Sequence, residues 1–385
     1  MTRINLALLF LCLLSCSAFA QNPRSRDLGI IIGKFQPGPW NAITDVAGVK
    51  VGHTTLRYGN RTTPDGKGPA RTGVTVVLPA EGDLWNSKIF AGSFVLNGNG
   101  EAMGLMYLQE TEGIETPIAL TNTFNIGVVQ KALVQRMLSQ HPQIGRQDDT
   151  STPVVLECDD GGLNDIRNFY VKERHVWEAL DRASSGPVAE GAVGAGTGMV
   201  SYGFKAGIGT SSRLVEIGGK TYTIGVLVNA NHGTRNTLRV QGIPVGEMIT
   251  DLKPKYHQEG SIVILLATDA PLLPGQLNDL SKRVILGLAR TGGVAHHGSG
   301  DLAIAFSTAN RIPHYPEDPE VKISFLSNYN LNPLFEASAD ATEEAILNSL
   351  FAAETTVGRD GNTVWALPQD RLKEILDRYR QAQTK

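Results

Sequence analysis

The chain has 385 residues, 41% hydrophobic and 19% charged, with a formal charge of −3. That balance suits a sizeable core in one large domain or two, and the 42 glycines follow no Gly-X-Y period, which excludes a collagen-like chain. Near-neutral charge without a long basic block argues against a nucleic-acid partner.

The first twenty residues read as a secretory leader. Thr2-Arg3 supplies the positive end, residues 4–14 are largely apolar, and Ala18-Phe19-Ala20 is a small-x-small cleavage site before Gln21. The expected location is therefore periplasmic or secreted. Leu13-Leu14-Ser15-Cys16 offers a lesser match to lipoprotein anchoring at Cys16, with Leu14 standing where a small residue is usual. No other run approaches the ~20 apolar residues of a membrane span. Removing the leader takes Cys12 and Cys16 with it. Cys158 is left alone, without an intrachain disulfide or a thiolate metal cluster, and a buried or incidental thiol fits it better than a nucleophile.

Residues 21–35 read as a lead-in arm, and residues 42–71 as short apolar pieces separated by turn formers. A β-branched strand is expected over residues 72–78, ended by Pro79. Helical spacing follows over residues 127–138, after a loop at Asn122-Thr123-Phe124-Asn125. Residues 222–229 and 261–268 are short apolar runs that fit strands buried on both faces. Between them, residues 241–260 read as an exposed connection. A helix is expected over residues 280–288, capped by Asn278 or Asp279 and stopped by Thr291-Gly292-Gly293. A strand at 302–307 and helices at 339–351 and 369–380 complete the chain. Strands and helices without a βαβ rhythm suggest sheets covered by helices.

Several stretches carry chemistry. Gly260-Ser261 ends a polar approach and begins a strong strand, a place where backbone scission would leave a serine beside its own free amine; a Gly-Ser turn is the plainer reading. Ser299 and Asp301, two positions apart, can face the same side as a proton relay, or belong to an ordinary Gly-rich turn. Asn229 and Asn231 are same-face amides at a strand end, able to donate to a developing oxyanion or to form an Asx-turn. Glu157, at the end of an apolar segment, could hold a substrate ammonium or be surface acidity. The adjacent His296 and His297 cannot both face one metal, no HExxH helix is present, and the glycines of 191–198 lack the Lys-Ser/Thr end of a phosphate loop. No metal or cofactor is expected.

With these stretches laid out, the chain resembles the self-processing L-aminopeptidase/D-amidase-esterases and β-peptidyl aminopeptidases, from about Arg26 to Arg380. The markers are residues 41–53, Asn99 to Gly104, Glu115-Thr116-Pro117 with Thr121-Asn122-Thr123, Gly191 to Gly198, Gly225 to Gly233, Gly260 to Ile264 and Gly298 to Asp301. The resemblance implies an α/β fold, an αββα four-layer sandwich similar to N-terminal nucleophile hydrolases with different connectivity. It implies one domain over 21–385, cut between Gly260 and Ser261 into fragments 21–260 and 261–385 that stay associated, and a homotetramer of such units. Ser261 falls on the nucleophile, Ser299 and Asp301 on the pair supporting it, Asn231 on the oxyanion donor and Glu157 on the carboxylate for the substrate's amine. The implied activity is release of N-terminal residues from short peptides, amino-acid amides or β-peptides. The other reading is a secreted binding or scaffold protein that kept the fold without turnover. One departure concerns specificity: Asp159 and Gly162 stand where family members place aromatics. An ionised Asp159 cannot donate a hydrogen bond and would favour a basic or diamino substrate.

Overall fold

The computed structural model describes residues 23–60, 68–256 and 260–383, so the expected leader, Cys16 included, lies outside the described residues. In chain order the principal strands are β1 (Lys50–Tyr58), β2 (Ala70–Leu78), β3 (Ser87–Gly98), β4 (Ile118–Thr121), β5 (Val154–Glu157), β6 (Ile208–Ile217), β7 (Lys220–Ala230), β8 (Ile262–Thr268) and β9 (Gly300–Ser307). The principal helices are α1 (Ile126–Gln140), α2 (Glu173–Asp181), α3 (Pro274–Arg290), α4 (Asn332–Phe351) and α5 (Gln369–Gln383). One sheet runs β1-β2-β4-β5 and ends on the short strand Ala102–Met103; the other runs β6-β7-β8-β9-β3, with short strands at its far edge.

The layers follow from side-chain alternation. Along β8, Ile262, Ile264 and Leu266 pack with Leu277, Leu280 and Val284 of α3 and with Ala341 and Ala345 of α4. Val263, Leu265 and Ala267 point the other way, onto Val77, Leu120 and Leu156 of the first sheet. On that sheet's outer face Val74, Val76 and Val155 meet Val129 and Leu133 of α1 and Val176 of α2. The result is the expected αββα sandwich, with an apolar seam at each layer boundary. Each fully buried branched or Leu side chain contributes about 1.5–3 kcal/mol.

Three expectations are corrected. Helix α3 begins at Pro274, where Pro at the first turn is pre-set and the Gln276 side chain accepts from the Leu273 N–H at 2.9 Å. Asn278 is no cap; its side-chain oxygen accepts from the Ser93 N–H at 2.8 Å and pins α3 to β3. Helix α4 likewise starts early, at Asn332. The 241–260 connection is not simply exposed, since Val245 and Ile249 are fully buried and Arg235 gathers the carbonyls of Ile249, Asp251 and Leu252. Of that stretch, residues 257–259 lie outside the described residues.

The N-terminal arm is fastened by a buried charge. Arg213 of β6 and Glu344 of α4 are both wholly buried and pair at 2.7 Å. Arg26 donates to the same carboxylate at 3.0 Å, Asn41 at 2.5 Å, and Arg213 also donates to the Ile32 carbonyl at 3.0 Å. Removing one partner strands the others' charge without solvent. Glu344→Ala is expected to cost about 3–5 kcal/mol of unfolding free energy, measured by urea denaturation.

Candidate active site

Sheet register brings the chemistry together at one end of β8. β7 and β8 pair antiparallel with Ala230 opposite Ile262, so the next residues outward, Asn231 and Ser261, are neighbours. The Asn231 N–H donates to the Ser261 carbonyl at 3.0 Å. β8 and β9 pair in parallel with Ile262 opposite Asp301, which sets Ser299 and Asp301 on the other side of Ser261. Gly260 is compelled by packing: a Cβ there would lie 1.6 Å from the Asn231 carbonyl oxygen and 2.7 Å from its Nδ2. Only a residue without a side chain lets that peptide bond settle against Asn231.

The Asn231 amide has a defined orientation. Its Oδ1 accepts from the Val200 N–H at 2.8 Å, so Nδ2 is the other end, and Nδ2 donates to the Asp159 carbonyl at 2.9 Å. An amide nitrogen carries two protons, which leaves one for an oxyanion beside Gly260 or Ser261. Ser299 reaches the site from the opposite side, with its hydroxyl within hydrogen-bonding reach of both the Gly260 carbonyl and Asp301 Oδ1, the latter at 2.8 Å. A hydroxyl has a single proton. With Asp301 ionised, the carboxylate competes for it; with Asp301 protonated, Asp301 can donate to Ser299 and Ser299 to the Gly260 carbonyl. Burial pushes the Asp301 carboxyl up to about 6, opposed by Ser299 and the Ile262 amide, so both arrangements lie within reach near neutral pH.

Glu157 arrives from the first sheet. As the last residue of β5 it accepts from the Glu101 N–H at 2.9 Å and from the Thr123 hydroxyl, and burial raises its carboxyl above the usual range against those two bonds. A desolvated carboxylate of this kind gains from a neighbouring ammonium. Asp159 folds its Oδ1 back to the Gly161 N–H at 2.7 Å, while its carbonyl serves Asn231. Cys158 bridges the two sheets: its fully buried thiol lies 3.7 Å from the Ser261 carbonyl oxygen, and burial holds the thiol well above its ordinary range, unsuited to nucleophilic use. Among the described residues, no three His, Cys, Asp or Glu side chains gather as metal ligands, and no helix is long and apolar enough to cross a membrane.

Sequence reasoning did not single out Thr123, Tyr202 or Thr291 as individual site-supporting groups. Thr123 was legible only as part of a loop before α1. Tyr202 and Thr291 reach the site's edge through side-chain bonds that no local pattern announces.

Residues 41–364 match peptidase family S58. A β-peptidyl aminopeptidase from Sphingosinicella microcystinivorans is 45% identical, over 96% of this chain and 95% of its own. Among solved structures, a Burkholderia β-aminopeptidase superposes with a TM-score of 0.86 at 45% identity, covering 92% of this chain and 99% of that one. The L-aminopeptidase D-Ala-esterase/amidase of Ochrobactrum anthropi, described as a prototype of the serine aminopeptidases and a new variant of the Ntn hydrolase fold, gives 0.87 at 42% identity, covering 93% and 99%.

Proposed function

Since the chain belongs to peptidase family S58 and is an aminopeptidase built on a variant of the Ntn hydrolase fold, we propose that it is exported and activates itself by cutting the Gly260–Ser261 bond. The observation that carries this reading is the Gly260 carbonyl accepting from the Ser299 hydroxyl, with Asn231 packed against the Gly260 α-carbon and Ser261 next in the chain. Attack by the Ser261 hydroxyl on that carbonyl moves the acyl group from nitrogen to oxygen; hydrolysis of the ester then leaves Ser261 as a new N-terminus. During turnover the same hydroxyl attacks a substrate carbonyl. Its proton passes to the serine's own α-amine, with an ordinary pKa of about 7.7–8.0, or to the Ser299–Asp301 pair. The amine product leaves, and water releases the acid from the acyl-enzyme.

Glu157 receives the substrate's free ammonium, which makes the enzyme an exopeptidase for short peptides, amino-acid amides and β-peptides. The names of its relatives support a β-aminoacyl or L-aminoacyl group in that place. We further assign the cut units to a homotetramer. Tyr315, Phe325 and Tyr329 are each exposed within residues 315–329, apolar side chains that association would cover.

Release of p-nitroaniline from L-, D- and β-aminoacyl anilides tests the activity, and N-terminal sequencing tests the cut. Glu157→Gln is expected to raise KM for free-amine anilides about tenfold, the worth of one charge-assisted hydrogen bond, with a smaller effect on kcat. Undiminished discrimination between free and N-acetylated substrates in that variant would remove Glu157 from the role.

A further inference from the structure

Beside the Gly260 carbonyl a chain of hydrogen bonds fixes the tautomer of His232. The Thr291 hydroxyl donates its only proton to the Leu288 carbonyl at 2.8 Å. Tyr202 must then be the donor in its 2.8 Å bond to Thr291, and having spent its proton it can only accept from His232 Nε2 at 3.1 Å. The imidazole therefore carries its proton on Nε2 and presents a bare lone pair at Nδ1. Burial keeps the ring neutral, with its pKa lowered to about 3. The fit around this ring is tight. Tyr202 sits edge-on to it at 5.0 Å and holds a left-handed backbone (φ 53°) that a bulky residue rarely adopts, while a Cβ on Gly233 would strike the Tyr202 ring at 2.3 Å.

His232 Nδ1 is buried without a partner among the described residues, and so is Asp301 Oδ2. Both residues line one recess with Gly260, Ser299, Thr234 and His296, and its free volume is about 10 Å³, close to the least that admits one water. Two buried acceptors of this kind are costly unless something donates to both.

We propose that this recess is a site for the hydrolytic water of self-cleavage, with His232 Nδ1 and Asp301 Oδ2 each accepting one of its protons so that the oxygen lone pair faces the Gly260 carbonyl carbon. The inference rests on the self-processing reading above and adds the residue that aims its second step. In that step the water oxygen bonds to the Gly260 carbon of the Ser261 ester while Asp301 takes a proton. The tetrahedral adduct then expels the Ser261 oxygen, which recovers a proton from Asp301 through Ser299. One ester and one water become the Gly260 carboxyl group and the free Ser261 hydroxyl. His232 moves no proton; it is a positioning residue.

The test follows full-length chains made by cell-free translation, resolved over time by denaturing electrophoresis with and without hydroxylamine. His232→Gln places an amide where Nε2 was, keeping a partner for Tyr202, but puts no acceptor at Nδ1. Its fragments are expected about 100-fold more slowly, the scale of a misplaced reactant, and hydroxylamine should split the uncut chain by trapping the waiting ester. His232→Asn restores an acceptor near Nδ1 and should recover most of the rate. Tyr202→Phe frees the tautomer and should also slow the ester step. Wild-type rates in both His232→Gln and Tyr202→Phe, a slow His232→Gln chain indifferent to hydroxylamine, or a His232→Asn no faster than His232→Gln would each overturn the water site. If His232→Gln does not fold, Tyr202→Phe decides alone. A wild-type chain that never splits defeats the self-processing reading itself, a result distinct from all of these.

Discussion

Ser261→Ala is expected to leave a single uncut polypeptide and to lower turnover on aminoacyl anilides by on the order of 10^4-fold or more, the scale seen when a nucleophile is deleted. Two activities should disappear together because, on the proposed mechanism, one oxygen serves both: it would attack the Gly260 carbonyl in the precursor and the substrate carbonyl afterwards. The substitution removes one buried oxygen from a residue only 7% exposed, and the backbone bond from the Asn231 N–H to the Ser261 carbonyl survives it. Circular dichroism and thermal melting should therefore remain close to those of an uncut wild-type chain. Intact mass and N-terminal sequencing read the cleavage, and anilide hydrolysis reads the turnover. Wild-type kinetics in the variant would dismiss the nucleophile assignment outright.

Asn231→Ala should lower kcat by about 10²–10³-fold, the usual loss for one oxyanion donor, with KM changing much less. The charge it is meant to stabilise exists only after attack, so ground-state binding has little to lose. Alanine also leaves the Val200 N–H and the Asp159 carbonyl without their side-chain partners, so loss of fold has to be separated from loss of chemistry. Asn231→Asp supplies that control. It keeps an oxygen for Val200 but replaces the donor with an acceptor, and is expected to be at least as slow while melting nearer to wild type. A variant with kcat within threefold of wild type in both cases would mean that the oxyanion is held elsewhere.

What could be read ahead of the structure was whatever local pattern dictates. The β-branched run at 72–78 lies within β2, and the apolar runs at 222–229 and 261–268 correspond to β7 and β8, because fully buried strands need continuous apolar sequence. β6 escaped notice for the opposite reason. Its Thr210, Ser211, Ser212 and Arg213 are all buried, and their side chains are satisfied by Val226, Ala341, Asp45 and Glu344, groups outside the strand. Polar residues stabilised by tertiary partners leave no apolar periodicity behind. The residues around Ser261 stood out as short motifs at strand ends, whereas the Thr291–Tyr202–His232 relay is a property of three-dimensional adjacency alone.

The order of strands in the second sheet has a consequence for manufacture. β8 and β9 lie between β7 and β3, so the polypeptide beginning at Ser261 would thread its two strands into a gap flanked by strands of the other piece. Synthesised apart, one half would expose two facing unpaired borders and the other a bare parallel pair, both templates for aggregation. Continuous translation would spare the protein that hazard, since on the proposed route the gap closes before the Gly260–Ser261 bond is cut. Attempts to reconstitute the enzyme from separately expressed halves should therefore yield precipitate where a single reading frame yields soluble protein.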